Sequence, residues 1–218
     1  MEWPTTAAGL VEEQERLAPE TPAPWRLTPG AVVGGCFVCF PRGGSGPGAA
    51  GDTAWAAATA GEATSVIVGT AGGPYQPGLL ALREGALLED AARRLRRRPD
   101  VLLVNATGRD HPRRAGLALH LGAVLDLPTV GVTHRALLAS GEEPADEPGA
   151  RSPLTLNGEL VGYWVRTRRE RRPLAVHAAW RTDPETAVAV VLASTRRART
   201  PEPLGRARRA ARTARSSR

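Results

Sequence analysis

Apolar positions along the 218 residues follow two periods, and the switches between them mark the elements. Residues 7–18 place Leu10, Val11 and Leu17 on one side of a short helix. A Pro-rich link follows at 18–30. "AVVGGCFVCF" (31–40) then reads as a strand, β-branched and aromatic, and "PRGGSGPGAAG" (41–51) as a loop. Strands over 52–60 and 63–71 come next, and three consecutive strands with short links predict an antiparallel meander. Residues 78–98 form a helix in which Leu80, Leu87, Leu88, Ala91 and Leu95 recur at helical spacing, with arginines at the end where the dipole favours cations and Pro99 as the stop.

"VLLV" (101–104) is a short buried strand, 113–127 a second helix and 128–132 a further strand. Strand, helix and strand in that order predict a right-handed parallel crossover. Residues from 135 read as a short helix running into an acidic, Pro-rich loop. Residues 154–168 read as a hairpin turning at Asn157-Gly158. "LAVHAAW" (174–180) reads as strand or loop, and 183–195 as a helix opened by Asp183 with Pro184 at its first position. No internal repeat is present. The order predicts an α/β fold, a mixed sheet covered on both faces.

Charge changes the picture at one end only. All 29 basic residues are arginine, and the formal net charge is +7. Residues 195–218 hold nine arginines and the single acid Glu202, leaving 20 arginines and 21 acids elsewhere. The expected organisation is a helix and link over 1–30, one domain over 31–194, and a disordered Arg-rich tail over 195–218. Such a tail is either inert or a solvated arm that attracts phosphates without specificity. The acidic N-terminus lacks the apolar stretch of a signal peptide, and no apolar run reaches the ~20 residues of a membrane span. A cytoplasmic protein without membrane partners is expected.

The chemistry concentrates after the 101–104 strand. The apolar run stops at Asn105, and Gly108, Asp110, His111, Arg113 and Arg114 follow. A strand tip in such a place often carries a metal-binding carboxylate; here it carries an amide. Cys36 and Cys39 form a CxxC on a strand, where the two thiols point to opposite faces, and no second pair completes a zinc site. They read as buried and inert.

The element order resembles the ribonuclease H-like arrangement: three antiparallel strands, then parallel strands, with helices on both faces. Four stretches, "PYQPGLLALREG" (74–85), "HPRRAGLALHLGAVLDLPTVGV" (111–132), "NGELVGYWVRTR" (157–168) and "PETAVAVVLAS" (184–194), together resemble the endonuclease V family over roughly residues 8–205. The resemblance implies Mg²⁺-dependent cleavage of one phosphodiester 3′ to deoxyinosine in DNA, or inosine in RNA, in the repair of deaminated adenine. It implies DNA or RNA as partner; a monomer is expected. Phosphodiester hydrolysis of this kind needs a divalent ion on oxygen ligands, above all carboxylates. The family's first-strand Asp falls on Phe37, its Glu on Glu84, its second Asp on Asn105, its Lys on His134 and its late His on Trp180, with His177 as a rival position. Only Glu84 is retained, and it also reads as an ordinary acid near a helix N-terminus. Glu84 and Asn105 are what remains of the metal set. Asp110 is a possible substitute ligand, Asp126 sits at the far end of a helix, and His134 with His177 is a remoter way of rebuilding the site.

The resemblance also implies a wedge that pushes the damaged base out of the helix, here Pro74-Tyr75-Gln76-Pro77. Extrusion costs a few kcal/mol, and stacking on an aromatic ring returns ~1–3 kcal/mol per base. The alternative is a Pro-rich turn with a surface Tyr. The pocket for the extruded base falls on Gly78, Leu80, Ala106, Gly108, His111 and Gly131; glycines allow close backbone approach to a planar ligand, or make tight turns. Arg113 and Arg114 meet phosphates or water. Three functions stay open: a nucleic-acid binder whose cleavage is lost, a pseudoenzyme; an active nuclease whose metal site is rebuilt on Glu84, Asn105 and Asp110; and a scaffold that binds no nucleic acid.

Overall fold

A computed structural model describes residues 2–42 and 48–217, so part of the expected 41–51 loop (43–47) lies outside the described residues. In chain order the elements are α1 (Ala7–Leu17), β1 (Val33–Cys39), β2 (Thr53–Ala60), β3 (Ala63–Thr70), α2 (Leu80–Arg93), β4 (Val101–Val104), α3 (Leu117–Leu125), β5 (Thr129–Thr133), β6 (Arg151–Leu156), β7 (Glu159–Val165), β8 (Leu174–Ala178), α4 (Pro184–Ala193) and α5 (Glu202–Ser216). Among the described residues the strands form one sheet in the order β3-β2-β1-β4-β5-β8-β7-β6. β1, β4 and β5 run parallel, and the flanking pairs are antiparallel. The meander and the parallel crossover are both as the sequence predicts.

Both faces are covered. Leu102 and Val104 pack with Cys36 against α1, α2 and α3, while their neighbours Val101 and Leu103 face the opposite layer with α4. The period of two puts Cys36 in the first layer and Cys39 in a cluster under α5. Both thiols are free and buried. Asn157 and Gly158 turn the β6–β7 hairpin with φ of 53° and 80°, the left-handed pair that such a turn requires. Asp183 caps α4 by accepting the Thr186 N–H at 2.7 Å, with Pro184 behind it.

Four local expectations are corrected. α2 ends at Arg93, short of residue 98, and its trailing arginines serve another helix. Arg93 donates to the Val124 carbonyl at 3.1 Å and Arg98 to those of Leu125 and Asp126 at 2.9 and 2.7 Å, filling the open end of α3. α3 begins at Leu117 rather than 113; Arg114 has a positive φ of 58°, and Gly116 is pressed against the Thr107 carbonyl, where a Cβ would come within 2.4 Å. The short helix expected from 135 is absent among the described residues. Instead the N–H groups of Leu137, Leu138 and Ala139 converge on the Asp110 carboxylate at 2.6, 2.8 and 2.8 Å.

The fourth correction is the largest. The tail expected to be disordered contains α5, a 15-residue helix that lies on β1 and β2. Leu204, Ala207 and Ala211 are buried and Ala214 joins them in part, a stripe at i, i+3, i+7 and i+10. Gly35 makes the docking possible: a Cβ there would sit 2.5 Å from the Leu204 backbone N. No helix among the described residues is long and apolar enough to cross a membrane.

Candidate functional site

The C-terminal ends of β1, β4 and β5 open onto two neighbouring depressions. The first is a pocket of about 330 Å³ lined by Tyr75, Pro77, Gly78, Leu80, Asn105 and His111, among others. Its rim is the 74–77 loop, and that loop is clamped at both shoulders. At one, buried Arg83 donates to the carbonyls of Ala49 and Gly73 at 2.7 and 3.0 Å, pairs with Asp52 at 2.8 Å, and stacks on Phe40. At the other, the Gly78 carbonyl accepts from Gln14 Nε2, His111 Nε2 and Arg113 Nη2 at 3.1, 3.0 and 3.0 Å. Gly78 itself has a φ of +77°, a conformation open to glycine at little cost. The Tyr75 backbone N–H is held by the Gly48 carbonyl at 3.0 Å, yet 47% of the residue is exposed. The loop is stiff and its ring is free.

His111 is fixed as the neutral Nε2–H tautomer, donating to Gly78 and accepting the Arg113 N–H on Nδ1 at 3.2 Å. Burial lowers its pKa to about 4. Arg113 also donates to Gln14 Oε1 at 2.7 Å, so it braces the loop from inside. Behind the pocket, Asp110 is fully buried with His177 Nδ1 at 3.7 Å, and His177 Nε2 meets Thr133 Oγ1 at 2.9 Å. Burial holds His177 at about 4, with Asp110 pulling weakly the other way. Both Asp110 oxygens therefore accept backbone N–H groups, and the carboxylate fixes the Leu137 segment of the pocket wall. His177 is fully buried and bonds Thr133 through Nε2, while its Nδ1 has no hydrogen-bond partner.

The second depression is a narrow cleft that brings together Phe37, Asn105, His134 and Arg208. Asn105 and Thr133 belong to both walls, so cleft and pocket adjoin. Arg208 and Arg212 of α5 hold their guanidinium carbons 6.0 and 5.9 Å from the Phe37 ring centre. The sequence reading did not bring these two arginines to the site; the Leu204–Ala207–Ala211–Ala214 stripe was the signal that α5 docks and places them there.

Two of the five family-equivalent catalytic positions lie elsewhere. Trp180 gives its carbonyl to the Thr129 N–H at 2.9 Å and packs on Gly122, at the start of β5, ~13 Å along the strand from Thr133. Glu84 projects from α2 on the Cys36 side of the sheet and does not line the cleft. Burial pushes its carboxyl up to about 8, so it is mostly neutral at pH 7. Pro74 is exposed at the edge of the loop. Gly108 and Gly131 serve packing: a Cβ on Gly131 would lie 2.4 Å from the Ala106 carbonyl, and one on Gly108 2.1 Å from that of Ala178. Arg114 pairs with Glu159. Asp126, the C-cap of α3, pairs with Arg181.

A divalent ion does not fit these donors. Phe37 has no donor atom, Asn105 offers one neutral carbonyl, and two guanidinium groups already occupy the space over the ring. Among the described residues no three His, Cys, Asp or Glu side chains come together to hold a metal.

A mixed sheet of this order, with polar residues at the tips of its parallel strands, defines the ribonuclease H-like class. The comparisons narrow it. The family profile described as Endonuclease V matches residues 26–209. Endonuclease V of Methanopyrus kandleri is 45% identical over 139 residues, 64% of this chain and 60% of that protein. The aligned region thus spans under two thirds of that relative. The crystal structure of Endonuclease V from Streptomyces avermitilis superposes with a TM-score of 0.86 at 31% identity, covering 99% of this chain and 95% of that one. Ciona intestinalis Endonuclease V, in complex with a 24mer DNA containing an inosine followed by a ribo-adenosine, superposes with a TM-score of 0.76 at 21% identity over 96% and 97% of the two chains, a likeness of fold. The chain belongs to the endonuclease V family.

Proposed function

We propose that this chain binds inosine-containing DNA or RNA by receiving the extruded base in the Gly78–His111 pocket, and that it does not cleave the strand. One contrast carries the reading. The wedge loop is clamped at both shoulders by Arg83 and by the Gln14–His111–Arg113 trio, while the adjoining cleft contains no carboxylate. A pre-stiffened loop lowers the entropy cost of binding. Tyr75, free at the rim, can stack in the gap that a displaced base leaves, and the neutral His111 adds no charge to be desolvated when the pocket fills.

The nuclease reading with a rebuilt metal centre has less support. It needs Asp110, whose oxygens are taken by three backbone N–H groups, and Glu84, which stands outside the cleft. The test is fluorescence anisotropy in EDTA, comparing oligonucleotides that differ by one inosine in place of adenosine, as DNA and as RNA. Preference for the inosine strand, abolished by filling the pocket with Ala106→Trp, is the expected result. Equal affinity for both strands defeats the proposal.

A further inference from the structure

α5 carries an asymmetry that the pocket does not explain. Around the molecule most arginines near the site are spent: Arg83 on carbonyls and Asp52, Arg113 on Gln14 and Gly78, Arg114 on Glu159. Arg208 is different. Its Nε is buried and without a hydrogen-bond partner, and among the described residues no carboxylate pairs with it or with Arg212. The groups that act on it are its own burial and the neighbouring Arg212, both of which oppose its charge. On the other wall, His134 feels Arg199 and Arg208 as positive neighbours.

Arg208, half-buried in the cleft wall, and exposed Arg212, four residues on along α5, oppose each other's charge, and an anion between them would relieve that opposition. The remaining wall suits that anion as well. Asn105 can donate N–H where a carboxylate would repel, and Thr200 adds a hydroxyl, whereas that of Thr133 is already given to the Arg135 carbonyl.

We propose that Arg208 and Arg212, with Asn105, form a metal-independent clamp for a backbone phosphate of the bound nucleic acid. The inference rests on the proposed binding function and deepens it. Because Asn105 and Thr133 line both depressions, a base in the pocket puts its own flanking phosphate at the cleft. Guanidinium suits this role, since its fork of donors matches phosphate oxygens and its charge persists at any working pH. The clamp holds the phosphate where it is bound and polarises no water against it, so the strand stays whole.

The experiment uses the full chain and a deoxyinosine oligonucleotide, with and without Mg²⁺, titrated from about 50 to 200 mM NaCl. Binding in EDTA should equal binding in Mg²⁺. Arg208→Ala with Arg212→Ala should weaken binding about tenfold or more, and the slope of log affinity against log salt should fall by about 1–2. A second arm leaves the protein untouched: a methylphosphonate is placed at each position around the inosine. One position beside the inosine should reproduce the loss on the natural chain and add nothing further on the double variant.

Losses that add, or a salt slope unchanged in a variant that melts like the natural chain, overturn the clamp. Arginine-dependent binding that ignores inosine leaves the clamp standing and removes the base-recognition reading. An absence of any oligonucleotide binding removes both.

Discussion

The two adjoining depressions differ in how their polar groups are spent. In the base pocket nearly every donor has a partner inside the protein: Gly78 collects three, Asp110 takes three more, and His111 uses both ring nitrogens. At the cleft the opposite holds: among the described residues no carboxylate pairs with Arg208 in its wall or with exposed Arg212 beside it, and both stand near the Phe37 ring. The first arrangement is what a rigid receptor needs, and the second is what a site awaiting an anion looks like. On the proposed reading, recognition of a base and hydrolysis of its phosphodiester are separable in one fold, because each draws on its own group of side chains.

Acid should separate the regions most strongly. Burial holds His111, His120 and His177 neutral, each with a pKa of about 4 against an ordinary 6.5. Below pH 6.5 the unfolded chain binds protons that the folded chain refuses, so stability is complete above that pH and is lost progressively toward pH 4. Glu84, raised to about 8, acts in reverse and costs stability as pH climbs from 4.5 through 8. With three groups against one, the denaturation midpoint should fall steeply between pH 6.5 and 4, and that fall should be shallower in a His177→Gln variant. A flat profile across that window contradicts the buried neutral assignment.

Removing the Asp110 carboxylate comes next. Asp110→Ala orphans three backbone N–H groups and should cost about 3–5 kcal/mol in denaturant unfolding. Loss of the Leu137 wall should weaken inosine binding beyond what reduced stability explains. Gly35→Ala strikes the cleft instead: its Cβ meets the α5 backbone, and about 1–3 kcal/mol of overpacking should loosen the helix. Amide exchange should then rise in α5 and stay unchanged around Gly78. Smallest in its effect on the fold is Tyr75→Ala, which should leave the melting temperature alone and weaken inosine binding by ~1–3 kcal/mol. Equal weakening for unmodified strands would reduce Tyr75 to a general contact.

The sequence reads well where periodicity and turn chemistry are strong. The meander, the parallel crossover, the Asn157-Gly158 turn and the Pro184 helix start all follow from local rules, and Gly78, Leu80, Ala106 and His111, marked by the family's motifs, do line one pocket beside the 74–77 loop. Long-range hydrogen bonds were not. Nothing local says that residues 137–139 feed Asp110 instead of a helix, or that Arg93 and Arg98 cap α3. The 195–218 segment misled for a related reason: nine arginines outweighed an alanine stripe whose small side chains add little hydrophobicity yet let a helix settle close to the sheet. With that helix unread, Arg208 was not expected in the cleft wall, while Trp180, the position of the family's late His, lies at the start of β5.

The decisive measurement is a titration of Mg²⁺ and Mn²⁺ over a duplex with a single deoxyinosine, reading bound and nicked DNA from the same tubes. A complex that forms at every metal concentration and leaves both strands intact is the predicted result. Nicking that rises with the metal and disappears in Glu84→Gln would contradict it.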